Sequence, residues 1–430
     1  MMEKQTKIGT IPEGWKVKKL KEVFHINELS LPSNTDANYK FKYIPIEFVS
    51  TNHIDYGNCE SFRFVDAPGR ARRIVRENDI LISGVRPNLK SFAVFKKPDD
   101  SNWICSTGFY VLTAKEESDN LFSYYELLSE IGESQFYSYV AGSNYPAIGD
   151  GDIRNMKLMF PKDKSEQTAI AAMLSKVDEA IASVQASIAA AERLKKSLMQ
   201  NLLTGRMKPD GTLRKEDEFY VDEKFGKVPL GWKVQKVAEI ADYVQYGLNQ
   251  ASSENGKTPM LRMNNIVKGK MTNAPLVYVE LNDSLLQQYK LEKGDILFNR
   301  TNSLDLVGKV GVFELDGDYV FASYLIKVKV SKDNNPYFVN YALNSYPIQC
   351  SLRSKATPAV SQANINSKSL RNTSIIIPTN KKEQDEIVSR INNVENEIIN
   401  KQNKIVVLER LKKSLMQNLL TGRVRVKISK

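Results

Sequence analysis

Histidine is nearly absent from this chain. Its 430 residues contain two, His25 and His53, both in the first half. A second half without histidine is a poor candidate for histidine-dependent acid–base chemistry. Cysteine is equally scarce: Cys59, Cys105 and Cys350 are odd in number and far apart. That excludes a disulfide framework and a zinc spacing, and it suits a reducing cytoplasm. No run approaches the roughly 20 apolar residues that span a bilayer. Residues 1–14 are polar and lack the apolar core of a secretory leader. No Gly-x-x-x-x-Gly-Lys-Ser/Thr phosphate loop occurs, so no ATP motor is expected.

Two apparent catalytic motifs also fail. Asn335-Pro-Tyr337 resembles part of an adenine-methyltransferase turn, but the second proline and a glycine-rich donor pocket are missing. Pro209-Asp210 followed by Asp222-Glu-Lys224 can be read as a nuclease pattern. It lies in a polar connector with no expected strands to hold carboxylates around a metal, so a solvated linker is expected. What is plentiful is positive charge: 61 basic against 50 acidic residues give +11. Such an excess points toward a polyanion, although alone it argues only for solubility and non-specific attraction.

The organising feature is a repeat. Glu192-Arg-Leu-Lys-Lys-Ser-Leu-Met-Gln-Asn-Leu-Leu-Thr-Gly-Arg206 returns unchanged at 409–423, 217 positions later and so half the chain away. Ile11-Pro-Glu-Gly-Trp-Lys-Val17 and Val228-Pro-Leu-Gly-Trp-Lys-Val234 open the two halves at the same offset. Trp15 and Trp232 are expected to pack as core anchors. Short apolar runs between turn residues follow, among them Asp79-Ile-Leu-Ile-Ser83 and Asp295-Ile-Leu-Phe298, and predict strands. Helical patches near 121–140 and 337–343 precede Tyr145-Pro-Ala-Ile148 and Thr357-Pro-Ala-Val360. Each half thus reads as an α+β domain, over 1–162 and 228–379.

Beyond Pro161 and Pro378 the period changes. Ile170, Leu174, Val177, Ile181, Val184, Ile188 and Ala191 are spaced 4-3-4-3-4-3, a seam for packing helix on helix. Ile387, Ile391, Val394, Ile398, Ile405 and Leu408 repeat it, with Lys401 interrupting. Asp163 with Glu166, and Asn380 with Glu383, have the spacing of capping boxes, while Gly205 and Gly422 suit helix ends. Helices are expected over 163–205 and 380–423, each about 60 Å long, with a polar connector at 206–227 and a tail at 424–430. Antiparallel packing is the expected arrangement. Leu194, Leu198, Met199, Leu202 and Leu203, with Leu411, Leu415, Met416, Leu419 and Leu420, cover a wider arc than one partner helix needs. The arc is expected to dock a second protein, the alternative being packing on the chain's own domain. Identity in the helix ends amid diverged domains suggests one partner met twice and two different ligands.

This doubled pattern resembles the specificity subunit of type I restriction-modification systems over essentially the whole chain. The Pro-x-Gly-Trp openings, Asp-Ile-Leu strands and Pro-Ala turns are similar to that family's target recognition domains. The resemblance implies two such domains joined by two long antiparallel coiled-coil helices, with an internal twofold repeat. It also implies a non-catalytic, cytoplasmic bacterial or archaeal protein that reads a bipartite asymmetric site on double-stranded DNA. Two copies of a methyltransferase subunit would dock on it, and restriction/translocase subunits would join through the complex. S-adenosylmethionine, ATP and Mg would belong to those partners, with no cofactor or metal in this chain. A specificity subunit of another restriction-modification arrangement, or a non-enzymatic DNA-bridging protein, are the competing readings.

Arg and Asn suit bidentate reading of guanine and adenine edges, and Lys and Thr suit phosphates. On that basis the first-domain candidates are Arg70, Arg72, Arg73, Arg76, Arg86, Asn88, Lys90 and Tyr145. The second-domain candidates are Arg262, Asn264, Asn265, Lys268, Lys270, Asn299, Arg300, Thr301, Asn302, Ser303, Lys309 and Thr357. The two loops after the Asp-Ile-Leu strands are favoured because their positions match. Helices of this length bound the separation of the two read sites at roughly 17 base pairs, and the bulk of the domains shortens it toward one duplex turn.

Overall fold

The computed structural model describes residues 4–6, 9–140, 147–358 and 362–426. The chain divides into two compact units, residues 1–185 with 403–430, and residues 186–402. The expected boundaries near 162 and 379 mark where sheet gives way to helix. Packing draws the line elsewhere, so each unit takes part of both long helices.

Unit 1 contains β1 (Trp15–Lys19), β2 (Phe24–Ile26), β3 (Lys40–Ile44), β4 (Ala71–Ile74), β5 (Ile80–Ser83), β6 (Phe92–Val94), β7 (Trp103–Ser106) and β8 (Phe109–Ala114). After these come α1 (Asn120–Leu128), α2 (Glu130–Val140), β9 (Lys157–Pro161) and the start of α3 (Lys164–Leu203). Strands β6-β5-β8-β2 form an antiparallel sheet. Ser61–Arg63, β3, β7 and β4 form another, in which β3 and β7 run parallel. The unbroken apolar run of β5 has a reason. Alternation sends Ile80 and Ile82 into the cluster beneath α1 and α3, and Leu81 into a second cluster with Phe95 and Trp103.

Unit 2 repeats the plan. It begins with a hairpin of β10 (Phe219–Asp222) and β11 (Gly226–Pro229), then β12 (Trp232–Lys236), β13 (Ala241–Tyr246) and β14 (Thr258–Leu261). Next come β15 (Ile296–Asn299), β16 (Thr301–Asn302), β17 (Val310–Val312), β18 (Val320–Phe321) and β19 (Leu325–Val330). The unit continues through α4 (Pro336–Leu343), β20 (Thr357–Pro358), β21 (Ala363–Asn364), β22 (Ser374–Pro378) and the start of α5 (Lys381–Leu419). Its main sheet runs β13-β19-β15-β17, extended by Lys270–Met271 and Ile266–Val267. The connector expected to lack strands therefore holds the β10–β11 hairpin, and the stretch 321–330 breaks at a turn before β19.

The long helices run antiparallel. In unit 1, Lys412 of α5 pairs with Asp178 of α3 at 2.6 Å. In unit 2, Lys195 of α3 pairs with Glu395 of α5 at 2.7 Å, and Ala191 packs with Val394 and Ile398. Each contact also reaches a globular core. Tyr125 of α1 donates its hydroxyl to Asp178 Oδ2 at 2.7 Å. Burial and the Glu395 carboxylate together push the pKa of Tyr341, at the matching place on α4, well above the ordinary phenol range.

The repeated helix ends are largely internal, which corrects the expected docking arc. Leu202 and Leu203 are buried at 0% and 6% in the core that holds Val228 and Trp232. Leu419 and Leu420, at 4% and 1%, are buried in the core that holds Ile11 and Trp15. Leu198 and Met199, like Leu415 and Met416, lie partly buried against these same clusters. Each buried leucine contributes roughly 1.5–3 kcal/mol relative to exposure. Only Leu194 and Leu411, at 49% and 46% exposed, remain available in that arc. Gly205 and Gly422 adopt φ of +68° and +66°. A Cβ there would run into Pro229 or Pro12 of the opening motifs, so both backbone conformation and space demand glycine. Helix end and Pro-x-Gly-Trp are thus the two sides of one repeated joint.

Glu166 and Glu383 do not close capping boxes. Asp163 and Asn380 do cap, accepting from Ser165 N at 2.9 Å and Lys382 N at 3.0 Å. The glutamates instead receive Arg425 and Arg214 respectively.

Candidate nucleic-acid interface

Both units place their candidate residues around the turn that leaves the parallel strand pair. In unit 1, β3 and β7 run parallel and a tight turn leads from β7 to β8. Thr107 N donates to Arg70 O, and Gly84 N donates to Gly108 O, both over short bonds. The β4 arginines and the loop after β5 thereby flank one turn. In unit 2, β14 and β18 run parallel. Ala322 N donates to Leu261 O, and Arg300 N donates to Tyr324 O, so Arg262 and Arg300 flank the equivalent turn.

The aspartates that begin β5 and β15 are structural. Asp79 Oδ2 accepts Arg76 N at 2.8 Å and Asp295 Oδ2 accepts Glu292 N at 2.9 Å, closing the turn that launches each strand. The loop at residues 84–90 is held to the Pro-Ala segment by a bridge between Val85 and Ala147. In unit 2 the matching loop is held more fully: β16, β21 and β20 form a three-stranded sheet that joins Thr301 and Asn302 to Asn364 and Thr357.

The individual candidates fare differently. Arg70, Arg76 and Arg86 are exposed. Arg72 lies over the Phe64 ring at 4.5 Å and Arg73 donates to Ser30 Oγ at 2.9 Å, so both are half-buried and held. Lys90 pairs with Glu133 at 2.9 Å. Asn88 belongs to a short turn, Pro87–Leu89, and Tyr145 lies outside the described residues. In unit 2, Asn264, Lys268, Ser303, Lys309 and Thr357 are exposed, while Arg262, Arg300, Thr301 and Asn302 are half-buried.

Two asparagines are corrections. Asn265 is fully buried, its Oδ1 accepting Arg262 N and its Nδ2 donating to Pro275 O. Asn299 is fully buried and donates to Leu306 O. Both shape loops and neither can reach a base. Lys270 also stands apart: it sits across Val312 from Ile296, at the start of β15, whereas Arg300 follows the strand's other end, about 13 Å away at 3.3 Å per residue. It is engaged with Glu314 and Glu395 at 3.5 and 3.6 Å.

The sequence reading missed Tyr246 and Asn364, which the fold brings to Arg300 from 54 positions before and 64 after. No local pattern could have signalled either one.

On the helices, burial matches between copies at every position of the fifteen-residue repeat. Glu192, Arg193, Leu194, Lys196, Ser197, Gln200 and Arg206 are exposed, and so are Glu409, Arg410, Leu411, Lys413, Ser414, Gln417 and Arg423. The buried members are accounted for by the joint with the opening motif; the exposed members are not. Among the described residues, no helix is long and apolar enough to cross a membrane.

The family model described as the type I restriction modification DNA specificity domain matches twice, over residues 12–193 and 229–410. The MjaIX specificity subunit of Methanocaldococcus jannaschii is 24% identical, over 98% of this chain and 96% of that protein. The EcoKI specificity subunit of Escherichia coli K12 is also 24% identical, over 89% and 82%. A chain from a type I R-M system, solved for its complex assembly and conformational transition, shares the fold with a TM-score of 0.58 at 21% identity, covering 96% of this chain and 99% of its own. The HsdS subunit from Thermoanaerobacter tengcongensis aligns with a TM-score of 0.50 at 21% identity, over 96% and 98%. With both halves matched by the model, this chain belongs to the type I restriction-modification DNA specificity family, as its DNA-recognition subunit.

Proposed function

We propose that the chain reads an asymmetric, bipartite DNA site, one half through each globular unit, and presents two equivalent docking faces to two methyltransferase subunits. The observation that carries this is the exposed part of the repeat. Internal packing explains why Leu202, Leu203 and Gly205 recur as Leu419, Leu420 and Gly422. Arg193, Lys196 and Gln200 nevertheless recur as Arg410, Lys413 and Gln417. In unit 1 Lys413 and Gln417 reach Glu130 at 4.0 and 2.9 Å, whereas among the described residues Lys196 and Gln200 make no matching side-chain contact. A surface kept identical while exposed fits one partner met twice. The arginine-bearing loops differ between units, which fits two different half-sites. The relatives are named as specificity subunits of type I restriction enzymes, and methyl transfer, S-adenosylmethionine, ATP and Mg are assigned here to the partners. We assign the protein to the cytoplasm, a reading with which its helices agree: among the described residues none is long and apolar enough to cross a membrane.

The test maps methylated bases in cells that express the chain with its modification subunit, and in cells that lack the chain. Methylation confined to one split, non-palindromic motif, lost without the chain, is the expected result. Methyl transfer by the purified chain alone would overturn it.

A further inference from the structure

We infer that Arg300 reads a guanine in the half-site of unit 2, with Tyr246 and Asn364 as the positioning residues that fix its guanidinium. This rests on the DNA-reading function proposed above and specifies its chemistry at one position.

Arg300 is anchored before its side chain begins: its N–H donates to Tyr324 O at 3.0 Å and its carbonyl accepts Ile365 N at 2.9 Å. The guanidinium then lies over the Tyr246 ring at 4.8 Å. Tyr246 is held in turn, its hydroxyl accepting Ser367 N at 2.9 Å. Nη2 points to Asn364 Oδ1 at 3.4 Å, and Asn364 Nδ2 donates to Thr301 Oγ1 at 2.9 Å, which fixes which amide atom faces the arginine. Nε is buried and has no hydrogen-bond partner among the described residues. Buried, it cannot offer the side-on Nε–Nη2 edge to a ligand. The end-on Nη1–Nη2 edge remains, two parallel donors matching the O6 and N7 acceptors of guanine in the major groove. A stacked, immobilised guanidinium gains selectivity for one planar geometry, whereas a phosphate contact is served as well by a mobile cation.

Unit 1 lacks this assembly. The strand registers match Arg300 to Gly84, whose N–H donates to Gly108 O as that of Arg300 does to Tyr324 O. Unit 1 thus has the same backbone bond and no side chain at the reading position. The guanine contact therefore belongs to one half-site only.

The experiment enriches binding sequences from a randomised duplex pool with the full-length chain and with Arg300→Lys, Tyr246→Leu and Tyr246→Phe. Lysine keeps the charge and removes the planar fork. Leucine removes the stacking face, and phenylalanine retains it. The expected result is loss of one guanine preference, roughly 5- to 150-fold, in Arg300→Lys and a weaker loss in Tyr246→Leu. Tyr246→Phe should keep it, and all other positions should be unchanged. A 7-deazaguanine at that position should weaken the parent chain and leave Arg300→Lys unaffected. Uniform weakening across sequences, with a salt slope lower by about one, would mark a phosphate contact and overturn the assignment. Retention of every preference in Arg300→Lys would overturn it too, while leaving the DNA-reading function standing. A parent chain that enriches no sequence would bring down both.

Discussion

Arg425 grips Glu166 with two nitrogens, Nε at 2.6 Å and Nη2 at 2.7 Å, and spends Nη1 on the carbonyl of Glu13 at 3.0 Å. Arg214 reaches Glu383 Oε1 through Nη2 alone, at 2.5 Å, and gives Nη1 to Gly205 O at 2.7 Å. The two glutamates are equivalent in the repeat. The arginines are not, because one follows α5 and the other sits in the connector after α3. Two non-equivalent positions, each a few residues past a copy of the repeated helix end, reach the carboxylate at the start of the other long helix.

Breaking this clasp should loosen unit 1 without touching unit 2. Glu166 is 5% exposed and Arg425 43%, so the pair has neither the full value of a buried bridge nor the slight value of a surface one. Arg425→Ala should cost roughly 1–3 kcal/mol, chiefly by leaving the glutamate unpartnered. Hydrogen exchange should show faster opening across β1 and the start of α3, with α4 unchanged. Equal loss of protection in both units would contradict the local role.

Leucines within the repeat should split into two groups. Leu420→Ala empties a buried site and should destabilise by roughly 2–5 kcal/mol in a urea titration. Leu411→Asp, on the exposed face, should change stability by less than about 0.5 kcal/mol. The same substitution, combined with Leu194→Asp, should abolish capture of the methyltransferase subunit in a pull-down with the purified pair. Full capture would show that the exposed face is not the docking surface.

Glu126 supplies a pH dependence. It is fully buried on α1, where Oε1 accepts Met159 N at 3.0 Å and Oε2 has no hydrogen-bond partner among the described residues. Burial pushes its pKa up from 4.5 to about 8, against the opposing Met159 hydrogen bond. Between those values the folded chain keeps a proton that the unfolded chain has lost, so stability falls as pH rises and levels off above about 8. Glu126→Gln should flatten that fall, read from urea midpoints at several pH values. Identical slopes for the two proteins would rule this out.

The helices and their antiparallel seam were legible because their signal is periodic and local. Ile170, Leu174 and Ile391 announce their burial by spacing alone. The fate of Leu202 and Leu419 was not legible. An apolar arc states how much surface needs covering, but Leu419 is covered within the cluster that holds Trp15, some four hundred positions away. Asn265 and Asn299 were misread for a related reason. Asparagine amides match adenine edges and backbone groups equally well, and only burial decides between them. Arg425 gave no signal, since its partner is 259 positions distant.

The division of the chain into units also governs the order in which it can fold during synthesis. Unit 2 is a single continuous segment, residues 186–402, and can complete its core as soon as it emerges. Unit 1 waits for residues 403–430 to deliver Leu419, Leu420 and Arg425. The first domain made is thus the last one finished. A chain interrupted before α5 ends leaves Trp15 and its core uncovered, so an incomplete product carries an exposed apolar surface of the kind that quality-control proteases and chaperones engage.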